Sequence, residues 1–227
     1  MYPSQPGSFR GPHAGITAMV FVVLFCGGVA AVSMHGAPFF PGPAAPVADI
    51  SNFFAARAEA ALLCAFLQLG SAIPFGIFVA TIASQLEFLG VRAAGTKLAL
   101  FGGFSSALAA LLASSLLWAM AIPTVSQDSA VVEALYRFSF AVGGFGFAML
   151  FGIFIAGVAV SAGLSRVIPR WLMFAGVAIA LCGELSWFEM LNAKFMLFIP
   201  LARFAGYLWS VVIGFYLPRT KQIRAGA

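Results

Sequence analysis

Apolar residues along this chain gather into six long runs, at about residues 16–34, 58–88, 98–122, 135–163, 171–191 and 195–217. Charged residues, Pro and Gly mark off their ends. A helix crosses ~30 Å of hydrocarbon with about 20 residues, so each run is long enough to span a membrane. The second and fourth exceed what a perpendicular helix needs and are expected to tilt or to project beyond the hydrocarbon. Pro74 and Pro200 fall inside runs, which predicts kinks that free a carbonyl. The pattern therefore predicts an all-α, polytopic transmembrane bundle over 16–217, with a tail at 1–15 and a basic tail at 218–227.

In lipid, helices associate by close packing, so small residues four apart mark the faces that meet. Gly144, Ala148, Gly152 and Ala156 form such a row in the fourth run; Ala99, Gly103 and Ala107, with Ser106, Ala110 and Ser114, form two in the third. Ala202, Gly206, Ser210 and Gly214 repeat the pattern in the sixth. These rows predict a compact bundle, and they are also the faces through which a membrane-protein partner or a second copy would pack.

The same spacing singles out two charges. Glu184 continues the row Gly176 and Ala180 in "LCGELSWFEM", and Arg203 shares a face with Gly206, Ser210 and Gly214. Both are expected to face protein. At ~1.5 Å per residue, Glu184 lies on the order of 9 Å and Arg203 on the order of 12 Å below the outer ends of their helices. A central charge costs ~2.5–3.5 kcal/mol to insert, and pairing would remove much of that. The expectation is a Glu184–Arg203 ion pair in the outer half of the bundle. Arg57, Glu59, Glu133 and Arg137 stand near that level, with Gln68 deeper, and together they can line a polar pocket. The alternative is a purely structural pair beneath ordinary interfacial charges.

Composition agrees with the pattern: 62% of residues are hydrophobic and 8% are charged, with a mean hydropathy of +1.03. Such a chain has the lipid bilayer as its first partner. The net charge of +5 comes from Lys and Arg at the ends of runs, without the dense basic cluster that nucleic acid requires. With a cytoplasmic N-terminus, eight of these (Arg10, Arg92, Lys97, Arg166, Arg170, Arg219, Lys221 and Arg224) fall inside and three (Arg57, Arg137 and Lys194) outside. That bias predicts both termini in the cytoplasm. Trp118, Trp171 and Trp187 come near span ends, where an aromatic belt belongs. The first run is long for a signal peptide and lacks a small-residue cleavage site, so it is expected to stay as a helix. "GAPFFPGPAAP" (36–46) then becomes an extracytoplasmic loop.

Little of the chain points to catalysis. Its three cysteines, Cys26, Cys64 and Cys182, lie within apolar runs without CxxC spacing and are expected to be inert. The two histidines, His13 and His35, lie in the N-terminal tail and at the end of the first run, which argues against a bis-His haem, a His-box metal site or HExxH. Glu184 and Glu189, five apart, diverge by about 140° around a helix and make no acid–base pair. No GxSxG, phosphate-binding loop or GxGxxG occurs. No cofactor or metal is expected, and the question of an enzyme leans to no. One internal echo stands out: "IPFGIFVA" (73–80) and "MLFGIFIA" (149–156) share FGIF, as two copies of a helical hairpin would.

"IPRWLMFAGVAIAL" (168–181) and "LARFAGYLWSVVIGFYLPR" (201–219) resemble the later helices of small, uncharacterised bacterial inner-membrane proteins classed as domains of unknown function. The resemblance implies the same multi-helix fold in a bacterial cytoplasmic membrane and carries no activity with it. Three readings stay open: a protein that binds or transports a small or lipid-like ligand at an outer-half polar site, an accessory or scaffolding subunit, and an enzyme whose site has no familiar form.

Overall fold

Inside lipid every backbone N–H and C=O must find its partner within the protein, and a helix is the local way to do so. The computed structural model describes residues 7–34 and 40–220, and those residues form helices, their connections and one isolated bridge. In chain order the helices are α1 (Ala14–Ser33), α2 (Val47–Ala56), α3 (Ala58–Phe88), α4 (Ala94–Met120), α5 (Pro123–Ser126), α6 (Ser129–Phe140), α7 (Phe147–Leu164), α8 (Arg170–Ser186) and α9 (Phe198–Tyr216). A π-helical turn, Ala141–Gly146, joins α6 to α7 without a break, and 3-10 turns at Trp187–Met190 and Ala193–Leu197 connect α8 to α9.

Six stretches are long and apolar enough to span a membrane: Ala14–Ser33, Ala58–Phe88, Ala94–Met120, Ser129–Leu164, Arg170–Met190 and Ala193–Tyr216. They match the expected runs except at the fourth, which begins earlier because α6 leads into it. Asp128 starts α6 by accepting hydrogen bonds from the N–H groups of Ala130 and Val131. Pro74 lies inside α3, which continues through it. Pro200 falls in the first turn of α9, directly after the 3-10 turn Ala193–Leu197 that leads into it.

The spans form a closed ring in chain order, α1–α3–α4–α7–α8–α9, with α9 returning to α1. α7 also touches α3 and α9, which makes it the most enclosed of the six. Phe21, Phe75, Phe78, Phe147, Phe151, Phe154 and Tyr207 fill the middle. The chain ends clasp at one end of the ring: Phe9 N donates to Arg219 O at 2.7 Å, and Gln85 Nε2 donates to Leu217 O and Pro218 O at 3.0 and 3.1 Å. At the far end sits a cap. There α2 and the start of α6 pack Ile50, Phe54, Val132 and Tyr136 onto Val32, Leu117 and Met120.

α2 has no counterpart among the six runs. Its signal is short: Pro46 before the first turn, Asp49 within it, then Ile50 and Phe54 on one face. The Pro-rich stretch before it is tied down, since the Tyr136 hydroxyl donates to Pro41 O and Arg137 Nη1 to Pro43 O at 2.7 Å. Residues 36–39 of that loop, His35, tail residues 1–6 and 221–227, and with them Lys221 and Arg224, lie outside the described residues.

The small-residue rows are used up inside the chain. A Cβ on Gly102 would lie 2.5 Å from Phe154 N, one on Gly157 2.5 Å from Gly95 O, and one on Gly183 2.5 Å from Ala148 O. Thus α4 crosses α7, and α7 crosses α8, with backbones nearly touching. Gly214 is pressed in the same way against Ala14 and Gly15 of α1.

The FGIF echo extends to the architecture. Phe75 to Phe151 is a step of 76 residues, and the same step carries Phe88, the end of α3, to Leu164, the end of α7, and Ala94, the start of α4, to Arg170, the start of α8. Both turns close alike, with Val91 N donating to Leu86 O in one and Val167 N to Ala162 O in the other. The left-handed position is Gly90 (φ 87°) in the first and Arg166 (φ 56°) in the second. The two motifs meet at the centre, each ring against its counterpart: Phe75 on Phe151 and Phe78 on Phe154, both at 5.7 Å.

The glycines of the two motifs have opposite surroundings. A Cβ on Gly152 would lie 2.9 Å from Ala180 O, whereas one on Gly76 would meet nothing within 4 Å. Gly152→Ala is therefore expected to cost about 1–3 kcal/mol, and Gly76→Ala to be neutral or to stabilise by up to about 0.5–1 kcal/mol. Reversible unfolding in mixed detergent micelles measures both, and equal losses would contradict the packing.

Candidate functional site

The π-helical turn has the sequence AVGGFG, and its glycines let a widened backbone sit where side chains would clash. A Cβ on Gly143 would lie 2.5 Å from Ala113 Cβ of α4, and one on Gly146 2.8 Å from Ala141 O. Widening frees a carbonyl from the regular ladder. Arg203 reaches it from α9: its guanidinium donates through Nη2 to Gly143 O.

Two rings hold the guanidinium from other sides. Its Cζ lies 4.9 Å from the centroid of Phe147 and 5.4 Å from that of Phe25, distances at which a ring face attracts a cation. One turn further along α9, Tyr207 is buried edge-on to Phe21 and Phe25, each at 5.1 Å. Arg203 Nε is buried without a partner. Phe25 lies in the second half of α1, so this layer belongs to the half of the bundle nearer the cap, the half that the sequence assigned to Arg203.

The expected ion pair is not formed. Among the described residues the ion pairs are Lys97–Glu87 at 2.9 Å and Arg137–Glu133 at 2.6 Å. Glu184 is half-buried on α8, and its carboxylate lies against α7, with Oε1 3.5 Å from where a Cβ on Gly152 would be. Its row does lead inward, since Gly176 and Ala180 are buried. The physical reason for the divergence is the π turn: its carbonyl and two rings already take the guanidinium, while the Gly152–Gly183 contact draws α8 and Glu184 onto α7.

The other expected pocket residues also part company. Arg137 holds Glu133 and Pro43 O on the cap. Arg57, between α2 and α3, lies over the Phe53 ring at 5.3 Å with Nη1 buried and unpartnered. Glu59 is exposed. Gln68 faces α1, with Cγ 3.2 Å from where a Cβ on Gly28 would be. Among the described residues no hydrogen bond or ion pair joins these residues to Arg203 or Glu184. Sequence reasoning missed Phe25, Phe147, Gly143 and Tyr207; the double glycine at 143–144 was the available signal.

The cysteines are free, with Cys64 buried and Cys26 and Cys182 half-buried. Among the described residues no group of three or more His, Cys, Asp or Glu side chains could hold a metal ion. Against protein-family models, curated proteins and solved structures, the chain finds no match. The class defined by the fold is accordingly a polytopic helical membrane protein.

A double-mutant cycle separates the two arrangements of Arg203. The effects of Arg203→Gln and Glu184→Gln on unfolding free energy should add to within about 0.5 kcal/mol, whereas Arg203→Gln and Phe147→Leu should couple by about 0.5–2 kcal/mol. Coupling to Glu184 and not to Phe147 would reverse this assignment.

Proposed function

We propose that this protein is a non-enzymatic membrane protein that binds an anionic, amphipathic small molecule beside Arg203. One observation carries the reading: a cation held at a π turn between two aromatic rings, with no carboxylate in ion-pair contact with it among the described residues. Arginine has five N–H donors, of which Nη2 serves Gly143 O while Nε has no partner. A carboxylate or phosphate group would satisfy those donors and offset the charge, and the ring faces of Phe25 and Phe147 suit an attached apolar body. The aromatic packing of the FGIF rings through the ring centre favours binding over conduction through the middle.

Orientation and location belong to the same proposal. The bundle end where the chain termini meet also carries Arg92, Lys97, Arg166 and Arg170, so the positive-inside bias supports a cytoplasmic position for both termini. A bacterial inner membrane is the setting implied by the resemblance of the later helices. A fluorescent protein fused after Ala227 should then mature and fluoresce in cells, whereas one inserted after Ala44 should stay dark; the opposite pattern would invert the topology.

A scaffolding role has one observation in its favour. Gly70 and Gly76 leave open space on α3 beside exposed Ile73 and Ile77, a face that another helix can approach closely. The other small-residue rows are consumed within the bundle.

The test is native mass spectrometry of protein extracted gently from its own membrane. Wild type should carry a reproducible anionic adduct that Arg203→Gln loses while circular dichroism stays helical, and Glu184→Gln should keep it. An anionic-adduct count unchanged by Arg203→Gln, or a bare wild-type mass, would sink the proposal. A co-purifying protein lost on Gly76→Leu would favour the scaffold.

A further inference from the structure

A crevice of about 480 Å³ opens at the turn between α3 and α4, at the end of the bundle where the termini clasp. Glu87, Arg92, Thr96 and Lys97 line it. Arg92 is exposed, and Lys97 Nζ bonds Glu87 Oε1 at 2.9 Å, so the crevice carries a net positive charge. Ala93 gives the first turn of α4 no side-chain cap, which leaves the positive end of that helix open to the same space.

Thr96 is the independent sign that a polar group belongs there. It is 2% exposed and its hydroxyl has no hydrogen-bond partner. The repeat step of 76 residues puts Leu172 at the same position of the second hairpin, where it is buried as an ordinary apolar contact. A hydroxyl buried in place of a leucine loses its bonds to water, and a ligand oxygen in the crevice would restore one.

Apolar surface begins just beyond. Leu98 and Phe101 are more than half exposed on α4, one turn apart and further toward the middle of that helix than the cations. A ligand filling the whole site is therefore charged at one end and greasy at the other.

We propose that this crevice binds the headgroup of an anionic phospholipid, with its phosphodiester against Arg92, Lys97 and the Thr96 hydroxyl and its acyl chains over Leu98 and Phe101. Free phosphate shares the headgroup chemistry but gains nothing from Leu98 and Phe101. The site lies at the opposite end of the bundle from the Arg203 layer and is independent of it. A second crevice, with Arg166 and Arg170, occupies the equivalent place between α7 and α8 and lacks the buried hydroxyl.

The test uses the full chain in a neutral detergent, with equal phosphatidylglycerol and phosphatidylcholine added, and counts bound lipids by native mass spectrometry. Wild type is expected to retain phosphatidylglycerol preferentially. The double variant Arg92→Gln, Lys97→Gln should carry one fewer per chain, while Arg137→Gln at the cap keeps the wild-type count. Thr96→Val should weaken retention by roughly ten-fold, as for one charge-assisted hydrogen bond, without lowering the melting temperature in lipid-free detergent. Equal retention of the two lipids, an unchanged count in the double variant, or displacement of phosphatidylglycerol by added inorganic phosphate would each overturn the proposal. A Thr96→Val protein that melts earlier yet binds as wild type would mark the hydroxyl as structural and overturn its assignment.

Discussion

Lipid tails are as apolar as leucine, so nothing like the hydrophobic effect presses these six spans together once they are inserted. What holds them is close approach of backbones, and the rest of the structure depends on it. Gly102 on Phe154 N, Gly157 on Gly95 O and Gly183 on Ala148 O bring α4, α7 and α8 to near contact. With those three crossings set, α7 is enclosed, and the rings on its inner face are committed to the centre of the bundle. Phe151 and Phe154 then meet Phe75 and Phe78 of the other hairpin, edge against face. Such pairs contribute about 0.5–1.5 kcal/mol each beyond their contact area.

The same constraint explains the position of Arg203. Packing α7 tightly along its length requires a register that α6 does not share, and the π turn at 141–146 absorbs the difference with one wide turn. That turn exposes Gly143 O toward α9, and Arg203 stands where it can donate to it. The position of the cation thus follows from helix register rather than from charge pairing. An arginine so held keeps its Nε donor without a partner, and this is the physical ground for the binding site proposed beside it.

The two hairpins share a register and differ in their surroundings. Gly76 and Gly152 occupy matching places in the FGIF motifs, yet one faces open space and the other a neighbouring backbone. Thr96 and Leu172 match in position and differ in chemistry, as do Gly90 and Arg166 at the left-handed turn. An arginine there adopts a conformation that glycine takes without strain. These departures from the shared pattern mark where the surroundings of the two halves differ.

By itself the sequence determined the class of the protein, the number of spans and their approximate limits. The cause is physical: about 20 apolar residues are needed to cross hydrocarbon, and a chain that is 62% hydrophobic cannot conceal that length. It also determined which faces turn inward, because only small residues let backbones approach. Partners across the bundle were decided by the tertiary structure. Glu184 and Arg203 sit on adjacent helices at similar depth, and one-dimensional spacing made them a pair. Which carbonyl a π turn would free, and which ring would lie over the guanidinium, depends on rotations of α7 and α9 that no single helix encodes. The cap helix α2 escaped notice for a related reason: its ten residues bury two side chains, Ile50 and Phe54, and gain their meaning only from the end of the bundle they cover.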